Sequence, residues 1–389
     1  MDRAEEISRR LVHSGRAGVE TTLQVQSALI SKNKFLPDLG HNFYAYLRRR
    51  IEMMCDSQEY AINALECVHK QTYCGMVMQA QNAYYLLGVQ PDHSTVLMQL
   101  DMSELPEYTI YPGQIIEVSG TNIIGDEIVA DSVLYNRIFQ NLEIAPKEGK
   151  FTLTVIDEKR VQSAQSLASE GIDEYAHILD IVRGSQSDLV VIFGDLSCEA
   201  RKVCKEIATA KRTRILCVPY IDGIESSMAY PTEYTSKAAG YNMPASENQE
   251  WMPNLYDVSS CFFAELQNPS MVCFNGVLLA LTTLDVLLGI SRKEVSRNRG
   301  ERMDDILVHS VYQSTFLPFI PQDVPVDYSV FNAFLWAYSP DMYIFPTCLS
   351  ARPDNICSTH VIPVCTGSME LHVECTADER VTVQVAQDS

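Results

Sequence analysis

The residues best placed to do chemistry stand at the ends of apolar runs. FTLTVID closes on Asp157 and DLVVIFGD closes on Asp195, while ILCVPYIDGIESS and DMYIFPTCLS follow later in the chain. In an α/β sheet, the carboxyl ends of buried strands are where ligands and metal-bridging carboxylates collect. Four such ends in one chain suggest phosphoester hydrolysis by two metal ions about 3.5–4 Å apart, held by Asp, His and Asn side chains.

That chemistry requires a particular frame, and the chain departs from it at each strand. The first end should read Asp-x-His, but Asp157 is followed two residues on by Lys159. The second should carry Gly-Asp-x-x-Asp or -Asn, but Gly194 and Asp195 are followed by Cys198. The third should offer Gly-Asn-His, and ILCVPYIDGIESS has no histidine; the last should finish in Gly-His-x-His, yet it runs Pro346-Thr347-Cys348. None of the 8 histidines falls at a strand end in the required register. Asp157, Lys159, Asp195, Cys198 and Thr347 therefore read as the positions of a metal site without its metals. The expectation is a chain with no cofactor and no catalytic residues. Asp195 is expected to cap a helix or orient a loop, and His309, within DDILVHSVYQS, to be a helix-surface or packing residue.

These ends need a sheet to carry them. From residue 150 onward, strand-like and helix-like stretches alternate: FTLTVID, EYAHILDIVRG, SDLVVIFGD, EARKVCKEIATAK, TRILCVPYID. This order implies a largely parallel, buried sheet. MELHVECTADERVTVQV reads as a closing hairpin, and the Pro-, Asn- and Ser-rich residues 230–253 as a long surface loop. Upstream, YCGMVMQ, AYYLLGVQ, STVLMQLDM, GQIIEVSGTN and DEIVADSVL are short runs broken by Pro-Asp, Pro-Gly and Gly-Asp. Five strands of that size suggest an OB-fold barrel over residues 71–145. Residues 1–70 are expected to be helical, because FYAYLRRRIEMMCDSQEYAINALECV repeats its apolar positions at three- and four-residue steps.

Composition narrows the function classes. With 50 acidic and 30 basic residues, a net charge of −20 opposes long-range attraction to a phosphate backbone. The basic stretches LRRR at 47–50 and SRKEVSRNRGER at 291–302 read as solvated faces or loops. The 12 cysteines form no CxxC pair and sit largely in apolar runs, as expected of small hydrophobes in a reducing compartment. The N-terminus MDRAEEISRRL carries no signal peptide, and no apolar run approaches the ~18 residues of a membrane span, so a soluble intracellular protein is expected.

An OB-type segment containing PEYTIYPGQIIEVSGTN, followed by a sheet stripped of metal ligands, resembles the accessory B subunits of the eukaryotic DNA polymerase alpha–primase complex. The blocks ILDIVRGSQSDLVVIFGD, FNGVLLALTTLDVLLGI, ILVHSVYQSTFLPFIPQDVPVDYSVFNAF and SPDMYIFPTCLS follow in the family's order, and the likeness spans residues 34–385. It implies an α+β / α/β chain: an N-terminal helical segment, an OB barrel, and an inactivated calcineurin-like (metallophosphoesterase) sandwich over residues 150–389. It also implies a non-catalytic nuclear scaffold that holds the zinc-bearing C-terminal domain of the catalytic subunit. Through the complex, such a scaffold reaches the small and large primase subunits. DNA would be contacted only weakly or indirectly, and no membrane would be involved. Members of this family often begin with a further small helical domain, and this chain is expected to start too close to its core to hold one in full. Phe316, Phe319, Tyr328 and Phe331, in the Pro- and aromatic-rich stretch, are the candidate partner surface.

Three alternatives stay open on the sequence: a B subunit of polymerase delta or epsilon, an active metal-dependent phosphoesterase, and a single-strand-binding OB module using Tyr84, Tyr85 and Tyr111. The last would need basic residues, and YCGMVMQAQNAYYLLGVQPDHSTVLMQLDMSELPEY has no Lys or Arg.

Overall fold

A computed structural model of the chain describes residues 42–55, 67–90, 94–135, 149–165, 175–223, 229–234, 255–257, 262–298, 300, 302–336, 339–375 and 381–386. The expected helical character of residues 1–41 and 56–66 lies outside them. Helix α1 spans Phe43–Met54 and buries Tyr46, Leu47, Arg50, Ile51 and Met54, the three- and four-residue spacing that puts side chains on one face. The helical pattern does not extend to Cys67 and Val68. Cys67 already belongs to a strand, because its pairing with Asn122 across a sheet overrides local helix preference.

Strands β1 (Cys67–Ala80), β2 (Ala83–Val89), β3 (Thr95–Asp101), β5 (Ile115–Asn122) and β6 (Glu127–Leu134) close a barrel in the order β1-β2-β3-β6-β5. Its interior is filled by Tyr73, Val77, Leu86, Met98, Ile116 and Ile128, among others. β3 and β6 run parallel, which is how the barrel closes. The short β4 (Tyr108–Ile110) leaves the barrel to form a two-stranded ribbon with a strand far along the chain, Val295–Arg297.

The remaining elements, in chain order, are β7 (Lys150–Asp157), α2 (Glu158–Gln165), α3 (Ala176–Gly184), β8 (Leu189–Phe193), α4 (Cys198–Lys211), β9 (Arg214–Val218), β10 (Leu255–Asp257), β11 (Phe263–Glu265), β12 (Ser270–Phe274) and β13 (Val277–Leu281). They continue with α5 (Val286–Lys293), β14 (Val295–Arg297), α6 (Arg302–Tyr312), β15 (Met342–Pro346), β16 (Asp354–Ile356), β17 (Thr359–Val364), β18 (Ser368–Cys375) and β19 (Val381–Val385). They build two six-stranded sheets, β11-β9-β8-β7-β18-β19 and β10-β12-β13-β15-β17-β16. Strands β7, β8, β9 and β11 are parallel, as are β13, β15 and β17. The β18–β19 hairpin pairs antiparallel, as its alternating sequence predicts.

The two sheets face each other across a common core, where Leu153, Val191 and Leu216 meet Leu279, Ile344 and Ile362. Helices α3 and α4 cover the outer face of the first sheet. The outer face of the second is covered by α5, α6, α1, one flank of the barrel and residues 315–336, all in one continuous apolar cluster. Barrel and sheets therefore share a buried apolar seam.

Several expectations are corrected by that seam. Phe316, Phe319 and Tyr328 are buried inside it, so they cover the chain's own sheet instead of presenting a partner surface; Phe331 is half-buried against the same cluster. Prolines 318, 321 and 325 keep this cover extended, and α1 together with the barrel closes over it. Tyr230 and Tyr234 are also interior, so residues 230–234 are not surface loop; residues 235–253 fall outside the described residues. Of the LRRR stretch, Leu47 and Arg50 are buried, with Arg50 Nη2 donating to Gln313 Oε1 at 3.2 Å. His309, expected on the helix surface or in packing, is a packing residue: it is buried, its Nδ1 3.2 Å from Gln114 Nε2. Of the three tyrosines offered for base stacking, Tyr111 lies fully inside, and Tyr84 and Tyr85 are half-exposed.

Candidate functional site

A cleft of about 900 Å³ opens where the strand ends of both sheets converge. Asp157 closes β7, Tyr220 follows β9, Thr283 and Asp285 follow β13, and Thr347 follows β15; all of them line it. Its floor is apolar, with Ile221, Leu284, Leu288 and Phe319, and its rim carries Lys159, Arg160, Asp222, Arg292 and Asp323. Of the five strand-end positions named from the sequence, Asp157, Lys159 and Thr347 line this cleft together.

The polar groups of the cleft are spent on one another. The buried Asp157 accepts hydrogen bonds from the Tyr220 hydroxyl and, at 3.4 Å, from the backbone N–H of Arg160. The Arg160 guanidinium lies 3.5 Å from the Asp157 carboxylate and donates to the carbonyl of Thr347, tying β7 to β15. Lys159 Nζ sits 2.7 Å from Asp222 Oδ1 and 4.1 Å from the Tyr220 ring centre, where its charge meets the π face. Asp285 caps α5, accepting from Leu288 N–H at 3.0 Å, and its other oxygen accepts from Cys348 N–H at 2.8 Å.

Burial raises the Asp157 carboxyl above the ordinary carboxylate range, partly offset by the Tyr220 hydrogen bond and by Arg160. Burial also pushes the Tyr220 phenol up, and the Asp157 charge reinforces it. Asp222 moves the other way: burial raises it, but the Lys159 hydrogen bond and charge outweigh that and hold it low.

Asp195 and Cys198 do not join the cleft lining. Asp195 is half-buried beyond its lip; its N–H donates to Glu158 and its carbonyl accepts from Tyr175 at 3.3 Å. Gly223 lies against the Asp195 carboxylate so closely that a side chain there would collide with it. The cap of α4 is Ser197, whose hydroxyl accepts from Ala200 N–H at 3.2 Å, so Asp195 does not cap the helix. Cys198 is simply the first residue of α4.

These residues do not fit a metal pair. An ammonium and a guanidinium stand where neutral imidazoles would have to donate lone pairs, and Asp157 is already engaged by Tyr220 and Arg160. Among the described residues, no group of three or more His, Cys, Asp or Glu side chains is placed to hold an ion. Arg160, Tyr220, Asp222 and Asp285 escape a reading of the sequence alone. Only Asp285, an Asp ahead of the apolar run VLLGI, carries a recognisable helix-cap signal.

A family model for the B subunit of DNA polymerases alpha and epsilon matches residues 199–352, and one for the OB domain of the alpha B subunit matches residues 53–136. Among similar proteins, the DNA polymerase alpha B subunit of Rattus norvegicus is 24% identical over 285 residues, covering 67% of this chain and 45% of that protein. That of Bos taurus is 22% identical over 353 residues, covering 79% and 58%. That of Schizosaccharomyces pombe is 24% identical over 274 residues, covering 62% and 44%. The chain spans about half the length of the curated relatives it matches. It is a relative of the DNA polymerase alpha B subunits and carries their OB domain.

Proposed function

We propose that this relative of the DNA polymerase alpha B subunits is itself a non-catalytic scaffold of a DNA polymerase alpha–primase complex, acting in the nucleus during primer synthesis. One observation carries the non-catalytic reading: at the strand ends, Lys159 and Arg160 satisfy the carboxylates that metal ions would otherwise bridge. The two stacked six-stranded sheets fit a calcineurin-like sandwich whose hydrolytic centre has been replaced by ion pairs. The net charge of −20 suits a chain that meets proteins and touches DNA weakly or through others. The partner in this reading is the C-terminal domain of the catalytic subunit, with the small and large primase subunits reached through it.

The alpha class is favoured over epsilon and delta because the OB segment matches a model specific to alpha. Affinity purification of the tagged chain from its own cells, followed by mass spectrometry, tests the proposal. Recovery of an alpha-class catalytic subunit with two primase subunits is expected. Recovery of a delta or epsilon catalytic subunit would reassign the class. Stoichiometric Mn²⁺ or Zn²⁺ with phosphodiester hydrolysis by the purified chain would restore the enzyme reading.

A further inference from the structure

The reducing-compartment reading of the cysteines leaves one pair unexplained. Cys55, the residue that ends α1, and Cys74, in the middle of β1, are joined as a disulfide with their Cα atoms 5.8 Å apart. Both are more than nine-tenths buried and belong to the seam between barrel and sheets. Among the described residues, other cysteines stand as single thiols, buried at Cys204 and Cys217 and exposed at Cys348 and Cys357.

The position of this bond matters because of what α1 touches. Phe43 packs edge-on against Tyr328 at 5.0 Å between ring centres. The Tyr46 hydroxyl donates to the carbonyl of Leu317 at 2.8 Å, and Arg50 donates to Gln313. The first two contacts hold the cover over the second sheet, and the third ties α1 to the residue just past α6. To the barrel, the 12-residue α1 is joined by apolar packing and by this covalent link. An isolated helix of that length is marginal in water, so its order depends on what it is fastened to. Cys74 also lines a crevice of only about 10 Å³ with Met54, Ile115, Glu117, Leu134 and Tyr135 on the barrel flank, so a thiol that exchanges with the pair has to enter as α1 opens from the seam.

We propose that Cys55 and Cys74 form a thiol–disulfide latch that sets how firmly α1 clamps the cover of the second sheet. The oxidant is a low-molecular-weight disulfide of the glutathione class. One cysteine thiolate attacks a glutathione sulfur and expels a glutathione thiolate, which takes up a proton. The other cysteine thiolate then attacks the protein-side sulfur of the mixed disulfide and expels the second glutathione. Two protein thiols and one glutathione disulfide become one protein disulfide and two glutathione thiols, and the reverse exchange opens the latch.

The test equilibrates the purified chain in buffers of graded reduced-to-oxidised glutathione ratio. Peptide mapping by mass spectrometry without reduction reads the linkage, and hydrogen exchange reads the α1 amides. A Cys55–Cys74 linked peptide is expected, its fraction following the glutathione ratio. Closing this 19-residue separation should slow α1 exchange roughly tenfold to a hundredfold. Cys55→Ser should abolish the dependence of α1 exchange on the ratio while leaving barrel amides protected. Cys204→Ser should keep the dependence. Two free thiols at every ratio would overturn the proposal. So would a linked peptide that forms while α1 exchange stays constant.

Discussion

The cleft at the strand ends and the seam beneath the barrel use polar residues in opposite ways. In the cleft, charges stand at the rim in contact with water: the Lys159 and Asp222 side chains are 54% and 73% exposed although they lie 2.7 Å apart. In the seam, amides are buried and matched to backbone, and the buried guanidinium of Arg50 bonds to an amide rather than to a carboxylate. Gln313 accepts from Ile115 N–H at 2.7 Å and donates to Ile115 C=O at 3.1 Å, doing for the barrel strand what a sheet neighbour would do. Gln114 accepts from Tyr111 N–H at 3.1 Å and meets His309. Gly113, at φ +94°, lets its turn lie on residues 319–320, where a Cβ would fall 2.8 Å from the Ile320 nitrogen. Directional bonds between buried groups fix one geometry in the seam, whereas solvated charges at the cleft rim neutralise one another without enforcing a shape.

Substitutions should therefore cost much in the seam and little in the cleft. The largest effect is expected at Trp336, which is fully buried with its ring 4.8 Å from Tyr343 and 5.5 Å from Phe316. Trp336→Ala should lower stability by about 3–5 kcal/mol in urea unfolding, through lost burial and the cavity left behind. Phe319→Asp should fail to fold rather than report on a partner, because its ring is interior.

Next in size is Gln313→Ala. It leaves a buried N–H and a buried C=O of Ile115 without their side-chain partner, and a loss of about 2–4 kcal/mol is expected. A loss below about 0.5 kcal/mol would mean that water enters the seam and that the contrast with the cleft is false. On the cleft side, Lys159→Met should change stability by less than about 1 kcal/mol, since an exposed ion pair is screened by solvent and salt. If it costs as much as Gln313→Ala, the cleft is structural too.

How much of this is legible in the sequence follows from range. The strands and the closing hairpin are written in local periodicity, and Asp157 and Thr347 can be placed at strand ends because a strand end is a local event. The role of residues 315–336 is not legible in that way. Phe316, Phe319 and Tyr328 look alike whether they face a partner or the chain's own sheet, and only the docking of α1 and the YPGQ turn decides between them. Arg160 and Tyr220 escape notice for the same reason: they are 60 residues apart in the chain and meet only at Asp157.

The smallest expected effect is a slope in pH rather than a level of stability, and it separates two views of Asp157. Burial raises its carboxyl above the unfolded value, against the pull of Tyr220 and Arg160. The folded chain therefore holds the proton to higher pH than the unfolded chain does. Between the ordinary carboxylate value and the raised one, the folded state binds more protons, so the Asp157 contribution to stability falls as pH rises and levels off above that window. Asn at this position cannot titrate, and its carbonyl can still accept from the Tyr220 hydroxyl. Urea unfolding of wild type and Asp157→Asn, followed from the ordinary carboxylate range up to neutral pH, should show the variant gaining on wild type as pH rises, then a constant gap. The opposite trend, with wild type gaining, would mean that Arg160 and Tyr220 outweigh burial and hold the carboxylate charged. The cleft would then be an ion-paired brace between β7 and β15, closer in kind to the seam than its exposed rim suggests.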